Sequence, residues 1–354
     1  MRVCNSNKIV RSVCLSAAVI MAGMVPAVSA AAKADVEKYT NTDFAMDTVV
    51  TETLYTTGDD LNASIGNQLR ELETGLLSWT EEESQISKLN ASAGEMVEIS
   101  QELAGYLDQI FQLAEDSEGA FDPTLGKVIR LWDITGENPH VPEQTELDEL
   151  LDETGYEKVL LKDQKITMEK GMTLDLGAVG KGIGCDVIVE FLQEQEDVSG
   201  MLLNLGGSSV MTYGEKPDGS DWKVAVTDPR DPEGDYLGAI TLHGSEFLST
   251  SGDYERYFEE DGKRYHHILD PKTGYPVWNG ITSVTIVCDS GLLADGLSTA
   301  CFVLGPEKAS NLLEKYDADA AFVDEDKNIY LTSGMKKRFE LLKNTYTLKG
   351  MPES

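Results

Sequence analysis

Residues 173–186 read TLDLGAVGKGIGCD, where a predicted strand, Met172–Leu176, enters a glycine-rich loop and a predicted helix, Ile183–Gln195, leaves it. Glycines let backbone N–H groups approach a phosphate closely, a helix N-terminus adds positive potential, and Lys181 adds a charge. Gly182 stands where Ser or Thr would follow the lysine of a Walker A loop, and the glycine spacing differs from the dinucleotide fingerprint. The loop alone leaves two interpretations open: a phosphate site, or a tight strand-to-helix turn with an exposed lysine.

A second candidate segment lies nearer the C-terminus, where residues 294–299 read ADGLST within a predicted helix, Leu292–Leu304. Residues four apart share one face of a helix, so Asp295 and Thr299 can present oxygens to one point. A carboxylate and a hydroxyl suit a hard ion such as Mg²⁺, with phosphate oxygens completing the shell. Taken by itself, the segment favours the alternative of a first-turn acid and a packing threonine.

Two further segments carry histidine and aromatic candidates. Adjacent His266 and His267 on a strand point to opposite faces, so at most one enters a given site. A site histidine can act as a base near neutral pH, and a half-buried structural histidine is the alternative. Residues 119–124 read GAFDPT after a helix end. They can pack a flat ring and accept hydrogen bonds at Asp122, or form a helix-terminating turn around a buried phenylalanine.

Composition limits the classes of function. The 354 residues are 41% hydrophobic and 26% charged, as in ordinary globular proteins. With 29 Lys+Arg against 62 Asp+Glu, the formal net charge is −33, which argues against nucleic-acid partners and anionic membrane surfaces. Beyond residue 30 the cysteines are Cys185, Cys288 and Cys301, an odd number without C-x-x-C spacing. We expect buried free thiols.

The N-terminus predicts export. Residues 1–30 combine a basic start, an apolar run and small residues at Ala27–Ala30, which is the pattern of a secretory signal peptide. We therefore expect an exported, extracytoplasmic protein (periplasmic or on the cell-surface side), with a membrane involved only through this segment or through a membrane-bound target. Residues 31–42 are predicted to form a short polar leader, and residues 43–354 a single domain.

Hydrophobic periodicity predicts an α+β fold with antiparallel or mixed sheets flanked by helices. Strands outnumber helices, and several connections are short hairpins. Helices are predicted after Asp60, with a stripe from Ile65 to Leu76, and around Leu103–Ala114. The other predicted strands are Asp43–Tyr55, a hairpin over Lys158–Met168, Met201–Tyr213, Trp222–Val226, Tyr254–Phe258 with Arg264–Leu269, and Ser283–Cys288.

Taken in order, these segments resemble the ApbE family, the FAD:protein FMN transferases. No single motif is specific, but their order along nearly the whole chain beyond residue 42 makes coincidence improbable. The matching segments are Met46-Asp47-Thr48, residues 84–90 (SQISKLN), 119–132 (GAFDPTLGKVIRLW), 173–186 (TLDLGAVGKGIGCD), 204–207 (NLGG), 249–256 (STSGDYER), 266–274 (HHILDPKTG) and 294–305.

The resemblance implies an ApbE-like fold, FAD as substrate and Mg²⁺ as cofactor. It further implies that a Thr or Ser hydroxyl of an extracytoplasmic acceptor protein attacks the FMN phosphorus, so that the acceptor keeps FMN and AMP leaves. In such transfers the protein mainly positions groups and neutralises charge. Catalytic roles would fall on His267 and Asp295, and the metal ligands would be Asp295, Thr299 and the backbone carbonyl of Gly180.

By the same correspondence, flavin and adenosine contacts would fall on Met46, Trp79, Ala120, Phe121, Asp122, Asp175, Lys181 and Ile268. The chain departs from the family pattern at three points. Gly180 replaces the usual alanine, Asp47 replaces the glycine that follows the methionine, and Trp79-Thr80 stand where many members carry a tyrosine. Trp79 is therefore assigned the flavin-stacking role.

Two other functions fit the same residues. The site could use water to hydrolyse FAD to FMN and AMP, or the protein could bind a flavin without turnover. Asp295, Thr299 and Lys181 favour turnover over binding alone, because a binding protein does not need a metal and charge arrangement at the pyrophosphate. No feature of the sequence separates transferase from hydrolase, and none names the acceptor.

Overall fold

The computed structural model describes residues 35–352, and the predicted α+β class is confirmed. The predicted export segment, residues 1–30, lies outside the described residues. The strands are β1 Glu37–Ala45, β2 Thr48–Thr56, β3 Met96–Glu98, β4 Leu160–Lys162, β5 Lys165–Thr167, β6 Val198–Leu205, β7 Ser209–Gly214, β8 Trp222–Val226, β9 Gly238–Leu242, β10 Phe247–Gly252, β11 Tyr257–Glu260, β12 Lys263–His266, β13 Ile281–Cys288, β14 Asp319–Asp324, β15 Asn328–Leu331, β16 Phe339–Leu341 and β17 Thr347–Gly350. The helices are α1 Asn62–Leu72, α2 Gln85–Ala91, α3 Gln101–Asp116, α4 Gly126–Trp132, α5 Gln144–Leu151, α6 Gly180–Gln193, α7 Gly291–Lys315 and α8 Met335–Arg338.

The main layer is a nine-stranded sheet in the order β1-β2-β6-β7-β10-β13-β14-β15-β17. Its neighbouring strands are antiparallel, except that β15 and β17 run parallel. One face packs against α1, α6 and α7, and the small sheet β16-β9-β8 covers the other. Side chains alternate along a strand, so in β6 Met201 and Leu203 enter the helical core while Leu202 enters the second core. The sheet therefore separates two apolar cores.

Two strands predicted as single are hairpins. The predicted strand Asp43–Tyr55 is divided between β1 and β2 by Met46 and Asp47, both at φ 54°. The predicted strand Met201–Tyr213 is divided between β6 and β7 at Gly206-Gly207. Aspartate tolerates the left-handed conformation, but a Met-Asp pair lacks the glycine or asparagine that usually marks a hairpin turn, so the first break left little trace in the sequence.

Two other predictions were wrong, one about the N-terminal leader and one about the segment before the glycine-rich loop. Residues 37–42 of the predicted polar leader form part of β1, because their alternating side chains suit an edge strand that pairs with β2. Residues 172–176 form no strand, and only Thr173 makes an isolated bridge, to Leu125. The extended segment before the glycine loop is held instead by the chain that precedes α4.

Several predicted elements are confirmed. The hairpin β4–β5 turns over Asp163, the hairpin β11–β12 turns over Asp261-Gly262, and α3 contains the predicted Leu103–Ala114 face. In α7 the predicted stop at Gly305 is a kink (φ 74°, ψ 168°), beyond which Pro306 opens a second segment. The cysteines beyond residue 30 are free and buried. Within residues 35–352, no helix is long and apolar enough to cross a membrane.

Candidate active site

Helices α6 and α7 touch through their backbones at two glycines. A Cβ added to Gly182 would lie 2.0 Å from the carbonyl oxygen of Gly291, and one added to Gly291 would lie 2.2 Å from that of Gly182. Real side chains do not tolerate such distances, so both positions require glycine. The predicted helix Ile183–Gln195 begins three residues earlier, at Gly180, because the glycine-rich stretch already forms its first turn. At Gly182, glycine therefore serves helix packing.

Each of these helices supplies the carboxylate that caps the other. Asp186 of α6 accepts hydrogen bonds from the backbone N–H groups of Gly291 (2.7 Å) and Leu292 (2.8 Å), which open α7. Asp295 of α7 accepts one at Oδ2 from the backbone N–H of Gly182 (2.6 Å), in the first turn of α6. Free N–H groups at a helix start favour a negative charge, so this reciprocal capping fixes the two N-termini side by side.

Asp295 is buried and surrounded by hydroxyl groups. Asp295 is 4% exposed, and its Oδ1 accepts hydrogen bonds from the hydroxyls of Ser209 (2.7 Å) and Ser249 (2.6 Å). Ser298 donates to the backbone carbonyl of Asp295 (2.8 Å) and lies 2.7 Å from the hydroxyl of Ser251. The serines of β7 and β10 could not be found from the sequence, because only the pairing of these strands brings them to Asp295.

The predicted metal ligands come from the two touching helix starts. Gly180 opens α6, and Thr299 lies half-buried one turn beyond Asp295 on α7. Among residues 35–352, no group of three or more His, Cys, Asp or Glu side chains could hold a metal. The donors here are one carboxylate, hydroxyls and carbonyls, all of them hard oxygen atoms. Such a set fits Mg²⁺, which typically takes one or two carboxylates and leaves positions for water and substrate phosphates.

Lys181 brings a positive charge to the same place. Its ammonium group contacts the hydroxyl of Ser208, a buried residue just after Gly206-Gly207. The charge also acts on Glu255, in the loop after β10, which sequence reasoning did not select. Burial raises the pKa of Glu255 to about 7, although Lys181 and Arg256 act in the opposite direction. The charge of Lys181 therefore acts on a buried carboxyl group whose pKa lies near neutrality.

The two adjacent histidines have different surroundings, although the predicted strand Arg264–Leu269 ends at His266 and His267 follows it. His266 is buried: its Nε2 lies 2.8 Å from the carbonyl of Val277, and its Nδ1 accepts a hydrogen bond from the backbone N–H of Ile268. His267 is half-buried, and its Nδ1 lies 3.3 Å from the carbonyl of Arg256. A carbonyl only accepts, so Nδ1 carries the proton and Nε2 has a free lone pair.

Electrostatics keep His267 neutral. Desolvation lowers the pKa of its imidazole below the ordinary range, and the positive charges of Arg256 and Lys181 act in the same direction. A neutral imidazole with Nε2 unprotonated can accept a proton. Ile268, predicted as a cofactor contact, is 4% exposed and packs in the main core directly after His267.

The GAFDPT segment is an ordered turn. Ala120 and Phe121 are buried, and Oδ1 of Asp122 accepts hydrogen bonds from the backbone N–H (2.8 Å) and the hydroxyl (2.6 Å) of Thr124. Its Oδ2 accepts a hydrogen bond from the backbone N–H of Tyr156 (3.3 Å). Burial raises the pKa of Asp122. The carboxylate thus organises its own loop, as the turn interpretation requires, and its predicted adenosine contact remains a prediction.

Trp79 and Asp175 meet at an arginine that sequence reasoning also missed. The guanidinium carbon of Arg130, on α4, lies 4.5 Å from the centre of the Trp79 ring, and its Nη2 donates to the hydroxyl of Thr173 (3.2 Å). Asp175 accepts a hydrogen bond at Oδ1 from the backbone N–H of Gly177 (2.8 Å), and its charge acts on Arg130. The indole is 39% exposed, so this cation–π pair leaves part of the ring open to a ligand.

Met46 lies against the first turns of α6. Its backbone N–H donates to Oε2 of Glu73 (2.8 Å), and its Cε would lie 3.7 Å from a Cβ at Gly180 and 3.8 Å from one at Gly184. The structure thus brings most of the predicted residues together in two groups, one at the start of α6 and α7 and one beside α4, while His267 and Ile268 follow β12. Residues 176–179 join the two groups along the chain.

Comparison with known proteins gives one consistent result. The model of the ApbE family matches residues 46–323. A protein from Treponema pallidum named FAD:protein FMN transferase is 34% identical over 77% of this chain and 80% of its own length. A protein of the same name from Klebsiella pneumoniae is 35% identical over 81% of this chain and 90% of its own length. The crystal structure of the ApbE protein from Thermotoga maritima superposes with a TM-score of 0.76 at 34% identity, and the match covers 85% of this chain and 99% of that one. The fold is that of the ApbE structures, and this chain belongs to the ApbE family.

Proposed function

We propose that this protein is an FAD:protein FMN transferase that requires Mg²⁺. It transfers FMN from FAD to a Thr or Ser hydroxyl of an acceptor protein and releases AMP. The observation that carries the proposal is the junction of α6 and α7, where Asp295, Lys181 and two helix N-termini meet. The relatives that bear the name FAD:protein FMN transferase support the activity. Since residues 1–30 predict export, we place the acceptor on the extracytoplasmic side.

The reaction forms one bond and breaks one bond at the same phosphorus atom. The oxygen of the acceptor hydroxyl bonds to the FMN phosphorus, the bond from that phosphorus to the AMP oxygen breaks, and AMP leaves with the electron pair. His267 would take the hydroxyl proton at Nε2, and the contact of its Nδ1 with the carbonyl of Arg256 supports this role. Lys181 would balance the negative charge of the pyrophosphate.

The metal would be held by Asp295, Thr299 and the carbonyl of Gly180. Bound there, Mg²⁺ would neutralise charge on the pyrophosphate oxygens. Trp79, partly exposed and fixed by Arg130, would offer its ring to the flavin. Asp175 and the GAFDPT turn, which flank α4, would face the adenosine half.

We expect His267→Ala to lower kcat for FMN transfer about 10²-fold or more, because it removes the group that takes the proton in the transition state. The Kd for FAD should change less than about threefold. Stopped-flow transfer assays and FAD fluorescence titration measure these two quantities. His243→Ala, which changes an exposed histidine, is the matched control and should behave as the parent does. A variant that lost FAD binding with unchanged kcat would make His267 a substrate contact.

The activity itself is tested with residues 31–354, FAD, Mg²⁺ and a candidate acceptor domain, with the products analysed by mass spectrometry. The proposal expects an acceptor heavier by one FMN, free AMP, and no product when Mg²⁺ is removed. An acceptor whose Thr or Ser is replaced by Ala is the control. Free FMN and AMP formed at one rate with and without acceptor would identify an FAD hydrolase. FAD that binds and stays intact would identify a flavin-binding protein.

A further inference from the structure

The two oxygens of the Asp295 carboxylate are not equivalent. Oδ1 accepts hydrogen bonds from two hydroxyls, those of Ser209 (2.7 Å) and Ser249 (2.6 Å). Oδ2 accepts one hydrogen bond, from the backbone N–H of Gly182 (2.6 Å). A carboxylate oxygen offers about two lone pairs. The lone pairs of Oδ1 are therefore both engaged, and Oδ2 keeps one for a further partner.

The sheet fixes the positions of both hydroxyls. Ser209 on β7 and Ser249 on β10 are directly opposite each other in the antiparallel register, so their side chains lie on the same face of the sheet. The two residues are 2% and 3% exposed. The hydroxyl of Ser249 also lies 3.4 Å from that of Ser298, whose own hydroxyl is anchored by the carbonyl of Asp295 and by Ser251. Neither serine can turn away without breaking this buried network.

We propose that Ser209 and Ser249 are positioning residues that hold Oδ1 of Asp295, so that the carboxylate binds the divalent cation through Oδ2 alone. The proposal rests on the proposed function, which places Mg²⁺ at Asp295. Mg²⁺ requires a nearly ideal octahedron with short bonds, and a carboxylate that binds through one fixed oxygen meets this requirement better than one free to rotate. Hydrogen bonds from the surroundings of a metal ligand typically contribute 10-fold to 100-fold to metal affinity.

The test measures metal affinity directly. Mn²⁺ is titrated into residues 31–354 with FAD present at one fixed concentration, and free Mn²⁺ is followed by electron paramagnetic resonance. Mg²⁺ titration by calorimetry repeats the measurement with the lighter ion. We expect Ser209→Ala and Ser249→Ala each to raise the Kd for Mn²⁺ about 10-fold. Ser249→Thr, which restores a hydroxyl, should recover most of the loss, and the Kd for FAD alone should stay within about threefold in all variants.

Thr250→Val is the matched control. Thr250 neighbours Ser249 on β10 but points to the opposite face, where its hydroxyl lies 2.9 Å from that of Thr285. It should leave Mn²⁺ affinity unchanged even if it lowers the melting temperature. Alanine variants that bind Mn²⁺ as tightly as the parent, with or without a lower melting temperature, would overturn the positioning role. A parent protein that binds no Mn²⁺ at all would instead overturn the metal part of the proposed function.

Discussion

Glu52 lies on β2 between Val50 and Leu54, and the residue is 2% exposed. Both carboxylate oxygens are buried. Burial raises the pKa of Glu52 to about 7, from an ordinary value of 4.5, and the negative charges of Asp43 and Asp60 act in the same direction. Asn41 and Arg70 oppose the shift. The native state therefore favours a protonated, neutral Glu52.

We expect the difference in free energy of unfolding between Glu52→Gln and the parent to be more favourable to the variant at pH 8 than at pH 5. A carboxyl whose pKa is raised by folding contributes full stability below about pH 4.5, and that stability is lost as the pH rises through 7. Glutamine does not ionise, so the variant escapes this loss, which is at most about 3 kcal/mol. Urea unfolding at both pH values measures the free energy of unfolding. Glu71→Gln, at an exposed position on α1, is the control for the change in charge, and equal pH dependence in both variants would contradict the assignment.

At the residue scale, the sequence predicted groups whose roles follow from local spacing. The expectation that only one histidine of the pair would enter the core is met by His266, and helical spacing placed Asp295 and Thr299 one turn apart. Ser249 and Arg130 could not be found in this way. Their partners are distant in sequence, and the contacts exist only because strands pair and α4 packs beside the glycine loop.

At the scale of elements, the junction of α6 and α7 combines two requirements in one glycine-rich motif. Gly182 and Gly291 let the helix backbones touch, and this contact brings Asp186 and Asp295 to the opposite helix starts. The sequence indicated a turn or a phosphate loop, and in the structure the same glycines begin α6 itself. Composition alone cannot separate these uses, because a close approach to a ligand and a close approach to another helix both exclude a Cβ.

Gly180→Ala and Gly182→Ala should differ sharply. A Cβ at Gly180 would make ordinary contacts, 3.7 Å from the Met46 Cε and 3.9 Å from Leu77, so we expect slight stabilisation, by about 0.5 kcal/mol, and retained activity. A Cβ at Gly182 would force α6 and α7 apart and break the hydrogen bond from the Gly182 N–H to Asp295. We expect a loss of more than about 2 kcal/mol and of FMN transfer. Chemical denaturation and the transfer assay decide the matter, and equal behaviour of the two variants would contradict the helix contact.

At the scale of the whole molecule, the sequence established the class more firmly than the boundaries. Alternating runs and short turns predicted an α+β fold, but the position of β1 was missed. The outward residues among 37–42 are polar and exposed, as expected of an edge strand, and such a segment resembles a solvated leader in composition. Register in the nine-stranded sheet likewise depends on long-range pairing that no local pattern records.

A chain that starts at Asp43, the predicted start of the domain, should be less stable than one that starts at Asp35. The shorter chain lacks residues 37–42, so residues 51–56 of β2 lose their partners and become an open edge. Unpaired backbone groups on an edge strand invite pairing with a second copy. We expect a melting temperature lower by about 5 °C or more, together with aggregation near the transition. Calorimetry with light scattering measures both, and identical melting curves for the two chains would show that residues 37–42 contribute nothing to the sheet.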